Sequence, residues 1–255
     1  IKLINRRLLI TKFFYENPTL SIQLNEILKL CPDFERALSR LAFYKNNFQD
    51  LITLKAGIKT SLTIKKFFKE KSVNLTYPIK LTEVLNSLSE FKKIDKILDK
   101  ALSDKSYQIG DQLSQINYGY SVELDQLRDI LLKSEKYISD LESRLIKKTK
   151  ISSLKIKKNN VLGYFIEVTS RNADNILKDK NSHLFYHRQT TANTYRFTNN
   201  ELISIENKIN TASIKISELE YKIYDDLKKL FLDFEYEIRL SADSIGELDF
   251  YLSLG

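Results

Sequence analysis

The amino-acid sequence predicts a mainly α protein with a small antiparallel β subdomain: a helical bundle and a long antiparallel two-helix stalk that carries the β structure at its tip. Three observations lead there. Apolar residues recur at heptad spacing in two long runs, the pattern switches to a two-residue period between them, and the net charge of +8 is confined to that middle stretch. Residues 141 to 200 hold 12 Lys and Arg against 4 Asp and Glu, whereas the remaining 29 basic and 29 acidic residues cancel.

Taken in order, residues 1 to 70 alternate apolar and polar positions at helical spacing, with breaks at "NPTLS" (Asn17 to Ser21) and "CPDFE" (Cys31 to Glu35). Several packed helices follow from this. Pro32 before Asp33 suits a helix start, because proline lacks the amide proton that a first turn leaves unpaired. Further helices are expected over Asp50 to Lys71 and over Ile79 to Leu102. From Ser103 to Asn117 the pattern fades, and Gly110 and Gly119 mark a loop or a short strand pair.

Leu124, Leu127, Leu131, Ser134, Ile138, Leu141 and Leu145 then follow a and d spacing, with one polar interruption. Leu202, Ile205, Ile209, Ala212, Ile216, Leu219 and Ile223 repeat the rhythm. Each run corresponds to about 35 to 40 Å of helix at 1.5 Å per residue. Between them, Leu154 and Ile156, then Leu162, Tyr164, Ile166 and Val168, alternate with polar or small neighbours, and Asn159 with Asn160 supplies a hairpin turn. A second hairpin is expected in "FYHRQTTANTYRF". Phe185, His187 and Gln189 would face one way, Tyr186, Arg188 and Thr190 the other, and Ala192 to Thr194 would turn the chain. Arg171 to Ser182 reads as a loop with a helical turn. The alternative arrangement packs the two long helices separately into a bundle, with the sheet on its side.

Composition excludes several classes. No apolar run approaches the roughly 20 residues that span a bilayer, which predicts a soluble protein with no membrane partner. The single cysteine, Cys31, permits no internal disulfide framework and fits a reducing compartment. The first residue is Ile1, and charged residues interrupt "IKLINRRLLITKFF", so the chain reads as an internal fragment without a signal peptide. None of the six glycines stands in a "GxxxxGK" or "GxGxxG" setting, so no nucleotide cofactor and no catalytic residue are expected here. His183 and His187 are four apart but have no third ligand nearby, so no metal is expected.

The basic middle stretch carries the functional signal. Concentrated positive charge suits a polyanion, because each neutralised phosphate releases counter-ions. Lys155, Lys157, Lys158, Asn159, Arg188, Gln189, Thr190, Asn193 and Arg196 combine lysine charges, forked guanidinium donors, amides and hydroxyls, the groups that bind phosphate oxygens. A solvated rim around a small sheet is the plainer reading of the same residues. Tyr164, Phe165, Phe185, Tyr186, Tyr195 and Phe197 are expected to form the sheet's own core rather than to stack on bases.

Six segments in order resemble the lever and clamp domains of the MutS family of DNA mismatch repair proteins. "CPDFERALSRLAF" resembles a lever helix start and "GYSVELDQLRDIL" the helix leading to the clamp. "LKIKKNNVLGYFIEVT" and "HRQTTANTYRF" are similar to the clamp strands. "TNNELISIENKI" resembles the returning helix, and "ADSIGELDFYLSLG" the segment running back into the lever. The resemblance implies a lever over 1–146, with the outgoing stalk helix from about 121, an inserted clamp over 147–207, and a returning lever helix over 208–255. It further implies double-stranded DNA gripped through its backbone without sequence readout, at Lys157, Lys158 and Asn159 in one hairpin and Arg188, Gln189, Thr190 and Asn193 in the other. Ala192 and Tyr195 depart from the family pattern, in which basic and acidic residues are frequent at those places.

For the full-length protein the resemblance implies a DNA-dependent ATPase using ATP and Mg, a homodimer, MutL as a partner, and a bacterial cytosolic, nucleoid-associated location. The fragment itself would hydrolyse nothing. Two alternatives stand beside this reading: a coiled-coil scaffolding protein without nucleic-acid function, and a clamp-containing MutS relative acting outside mismatch repair.

Overall fold

The computed structural model describes residues 2–43, 47–73, 75–109, 112–178 and 184–255. His183, Gly110 and the end of the expected 171–182 loop lie outside the described residues. The chain is mainly α with two small antiparallel sheets and separates into two compact units. The first comprises Ile1–Ser106, Gln115–Tyr120 and Tyr221–Gly255; the second comprises Tyr107–Ser114 and Ser121–Glu220.

The first unit is built from α1 (Lys2–Glu16), α2 (Pro18–Leu28), α3 (Phe34–Phe43), α4 (Phe48–Lys71), α5 (Ile79–Ser87), α6 (Lys92–Ala101) and α10 (Glu235–Ser253). Helix starts follow local chemistry. Pro18, not Pro32, opens a helix, while Asp33 Oδ1 accepts the Arg36 N–H at 3.1 Å and so caps α3. Asn47 does the same for α4 through Gln49 N, 3.1 Å away. Phe34 packs against Gly57 of α4, where an added Cβ would stand 2.2 Å from its ring, so α3 and α4 meet closely. Burial pushes the Cys31 thiol up to about 11, which favours its protonated form.

The helix expected over Ile79 to Leu102 is two helices. Leu88 is extended and Phe91 adopts the left-handed region at φ 42°. Leu81, Val84, Leu88, Phe91, Ile94 and Leu98 are all buried and keep the helical rhythm through the break, so periodicity conceals it. Tertiary partners satisfy the peptide groups that the break releases. Lys65 Nζ donates to Leu88 O at 2.8 Å, and Ser241 Oγ accepts from Ser89 N at 3.2 Å. The faded stretch after Leu102 is a strand pair, β1 (Leu102–Ile109) and β2 (Gln112–Ile116).

In the second unit, α7 (Val122–Thr149) starts on Ser121, whose Oγ accepts from Leu124 N at 3.3 Å. It ends where Lys150 turns left-handed at φ 57°. The second heptad run lies in α9 (Asn200–Asp233), of which residues to Glu220 belong to this unit. Ion pairs of Arg144 with Glu201 and of Arg128 with Glu220 run in opposite order along the two helices, so α7 and this part of α9 are antiparallel. Leu124, Leu131, Leu141, Leu145, Leu202, Ala212 and Ile216 are buried, whereas Leu127, Ile138, Ile205 and Ile209 are only half-buried. The seam also holds a cation. Arg128 is 0% exposed, with Nη2 donating to Ser114 Oγ at 2.5 Å and Glu220 Oε1 at 3.2 Å, and Nη1 to Asp125 Oδ1 at 3.3 Å.

β3 (Lys155–Asn159), β4 (Gly163–Thr169), β5 (Tyr186–Thr190) and β6 (Thr194–Thr198) form one antiparallel sheet in the order β3-β4-β6-β5. The Arg171 to Ser182 loop expectation is corrected: α8 (Ser170–Lys178) is helical, because Ala173 and Ile176, three apart, bury one face against the sheet. The strict alternation expected for the second hairpin is also corrected. His187 lies opposite Phe197 but Gln189 lies opposite Arg196, so Arg188 is an extra residue in a β-bulge and His187 and Gln189 face opposite ways.

Arg128→Ala is expected to destabilise the second unit by about 3–5 kcal/mol, because it strands Glu220 and Asp125 without their buried partner. Arg128→Met, which restores volume, should cost less when combined with Glu220→Gln. Urea unfolding followed by circular dichroism measures both.

Candidate nucleic-acid interface

The sheet presents two unlike faces, set by its register. Ile156, Ile166, Phe197 and His187 align across the four strands on one face, with Val168, Tyr195 and Thr190 in the next row. This face is the core. Ile166, Val168 and Phe197 pack with Leu141 and Leu145 of α7, Ala173 and Ile176 of α8, and Leu202 of α9. On the opposite face one row runs Lys155, Glu167, Arg196, Gln189: cation, anion, cation, amide. Lys155 and Lys157 keep 61% and 55% of their side-chain exposure there.

The predicted binding residues divide between these faces. Lys157, Gln189 and Arg196 come together on the polar face, and Lys155 shares their row by register while its Nζ lies 3.5 Å from Glu142 Oε1 of α7. Lys158 and Thr190 lie on the other. Lys158 Nζ sits 5.6 Å from the Tyr164 ring centre, and Thr190 Oγ1 is 2.9 Å from His187 Nε2. Arg188 is exposed in the bulge, and Asn193 is exposed in the loop that joins β5 to β6. Asn159 acts within the fold, where its Oδ1 accepts from Val161 N at 3.0 Å and Leu162 N at 2.7 Å and so closes the β3-β4 turn.

The rings also divide. Tyr164, Tyr195 and Phe197 sit on the core face, and Phe197 meets Phe185 edge-on at 6.3 Å. Phe165 and Tyr186 depart from this expectation: Phe165 is buried on the polar face with the Arg196 guanidinium 4.6 Å from its ring centre, and Tyr186, paired with Thr198 rather than with a core position, is exposed. No three His, Cys, Asp or Glu side chains converge as a metal site among the described residues.

Glu167 was not singled out by the sequence, and it organises the polar face. Its Oε1 accepts from Lys157 Nζ at 2.6 Å and its Oε2 from Arg196 Nε at 3.2 Å; Arg196 Nη1 continues to Gln189 Oε1 at 2.7 Å. The Lys157 hydrogen bond, seconded by Arg196, holds the Glu167 carboxyl below its ordinary value against burial, which acts to raise it. The signal that would have found it is register. Once Lys155, Glu167 and Arg196 are paired across strands, a lone acid between two cations stands out.

The β3-β4 hairpin is fastened to α9. Gly163 has φ +67°, and a Cβ there would stand 1.8 Å from Glu206 Oε1, which itself accepts from Tyr164 N at 3.1 Å. Gly163→Ala should therefore cost about 1–3 kcal/mol from left-handed strain and displacement of Glu206. Denaturant titration checks it. Acid provides a second test. Because the Glu167 carboxyl is depressed in the folded state, its contribution is present above the unfolded carboxyl value of 4.5 and fades as pH falls through the lower folded value. Acid unfolding monitored by circular dichroism should show a smaller loss of stability below about pH 4.5 in Glu167→Gln than in wild type.

Comparison with known proteins adds the family. Residues 119–215 match a family model described as MutS family domain IV. DNA mismatch repair protein MutS of Rickettsia prowazekii (strain Madrid E) is 32% identical over 248 residues, which cover 97% of this chain and 27% of the relative. The protein of the same name from Orientia tsutsugamushi (strain Boryong) is 38% identical over 227 residues, 89% of this chain and 25% of the relative. The chain thus spans about a quarter of the length of these curated relatives. With domain IV coinciding with α7, the four-stranded sheet and the first part of α9, and with similarity running through nearly all the rest, the chain belongs to the MutS family.

Proposed function

We propose that this chain is the lever and clamp portion of a MutS-type mismatch repair protein, and that the polar face of its four-stranded sheet grips the backbone of duplex DNA without reading sequence. The observation that carries the reading is the row of Lys155, Arg196 and Gln189, with Lys157 beside it, on the face that the core leaves to solvent. Arg188 in the bulge and Asn193 in the adjoining loop add an exposed cation and an exposed amide. Point charges, a fixed guanidinium and short polar groups match phosphate oxygens, whereas base readout needs an element shaped to enter a groove.

In this reading, residues 147–207 form the clamp, and 1–146 with 208–255 form the lever that couples it to an ATPase domain. ATP and magnesium chemistry, homodimerisation and an interaction with MutL belong to the full-length protein, in the cytosol of a bacterium. The rival reading as a self-associating coiled coil requires apolar seams left over for a second copy. Instead, Leu141, Leu145 and Leu202 share one core within the second unit.

The test is binding of the 255-residue chain to a fluorescent homoduplex and to a mismatch-containing duplex across a salt series. Weak, salt-steep and equal binding to the two is expected. Replacing Lys157 and Arg188 together with alanine should weaken binding by about fivefold or more and flatten the salt slope by up to about two units. An unchanged affinity and slope in that variant would remove the clamp assignment. Sedimentation of the chain alone should give a monomer.

A further inference from the structure

The face assigned to DNA contains an acid that a phosphate backbone would repel. Glu167 lies mid-row, its side chain 13% exposed, accepting from Lys157, Arg196 and, at 3.5 Å, Thr194 Oγ1. Its two cations are held very differently. Lys157 stands on the outer strand β3 with its side chain 55% exposed, so exchanging one ionic partner for another costs little. Arg196 is 23% exposed and is held at once by Glu167, by Gln189 and by the Phe165 ring, so moving it breaks three contacts.

We propose that Glu167 is an internal counter-ion that sets the strength of the backbone grip: it holds Lys157 in the free protein, yields it to a phosphate, and keeps Arg196 fixed as the support of the face. The inference rests on the reading of this face as a DNA contact. After Lys157 leaves, the carboxylate still accepts from Arg196 and Thr194, so the exchange strands no buried charge. The same carboxylate lowers the positive potential offered to DNA. The grip is thereby limited.

A binding cycle on the 255-residue chain tests this with fluorescence anisotropy on a labelled homoduplex, using wild type, Glu167→Gln, Lys157→Ala and the double variant. Glutamine keeps an acceptor for Arg196 and drops the charge. Glu167→Gln is expected to bind about three- to tenfold more tightly at low salt, with a salt slope steeper by up to about one unit. Most of that gain should vanish in the Lys157→Ala background. A folded Glu167→Gln that binds no more tightly than wild type, or a gain that persists in full without Lys157, overturns the counter-ion role while leaving the DNA reading intact. Wild type failing to bind at any salt overturns both.

Should Glu167→Gln not fold, Glu167→Gln with Arg196→Met removes both buried partners and keeps Phe165 covered. Against Arg196→Met alone, that pair is expected to bind more tightly at low salt, because Lys157 is freed of its counter-ion. Weakening equal to that of Arg196→Met alone overturns the proposal.

Discussion

The packing of Leu141 and Leu145 of α7 and Leu202 of α9 on Ile166, Val168 and Phe197 is the contact on which the second unit depends. Strands of five to seven residues cannot stabilise themselves in water. Each large aliphatic chain fully buried in this cluster contributes about 1.5–3 kcal/mol. The helices therefore hold the sheet, and by covering one face they decide that the other stays in water. Period-two alternation then puts Lys155, Lys157, Glu167 and Arg196 on that outer face, together with Phe165, which the Arg196 guanidinium covers.

Much of this was legible, and the reason is periodicity. Seven residues in heptad rhythm marked each long helix, and alternation around Ile156, Tyr164, Ile166 and Val168 marked β3 and β4. What stayed hidden was whatever leaves the period unchanged or lacks a marker residue. The break between α5 and α6 contains no glycine or proline and keeps its apolar phase, so nothing local announces it. The bulge at Arg188 likewise has no glycine, yet it moved Gln189 to the face opposite His187. The candidate site was legible as a set of residue types but not as a surface. Lys158 and Thr190 differ from Lys157 and Gln189 only by one step of the pleat, and one step puts them on the other face.

Two cations in the second unit show how burial separates function from support. Arg128 is wholly buried and met by Glu220, Asp125 and Ser114, so it offers no charge to a ligand and fixes where α7 lies along α9. Lys157 faces water and keeps an exchangeable partner. Arg196 stands between them, three-quarters buried and fully engaged, closer in role to Arg128 than its place in a basic sequence suggests.

The seat of Glu206 beneath Gly163 has a mechanical meaning. Its carboxylate takes the Tyr164 N–H, and the absent side chain at Gly163 lets the α9 residue approach the strand backbone directly. Asn159 stiffens the turn ahead of it. Between them, these contacts tie both ends of residues 160–162, one to the turn's own asparagine and the other to a carboxylate of α9.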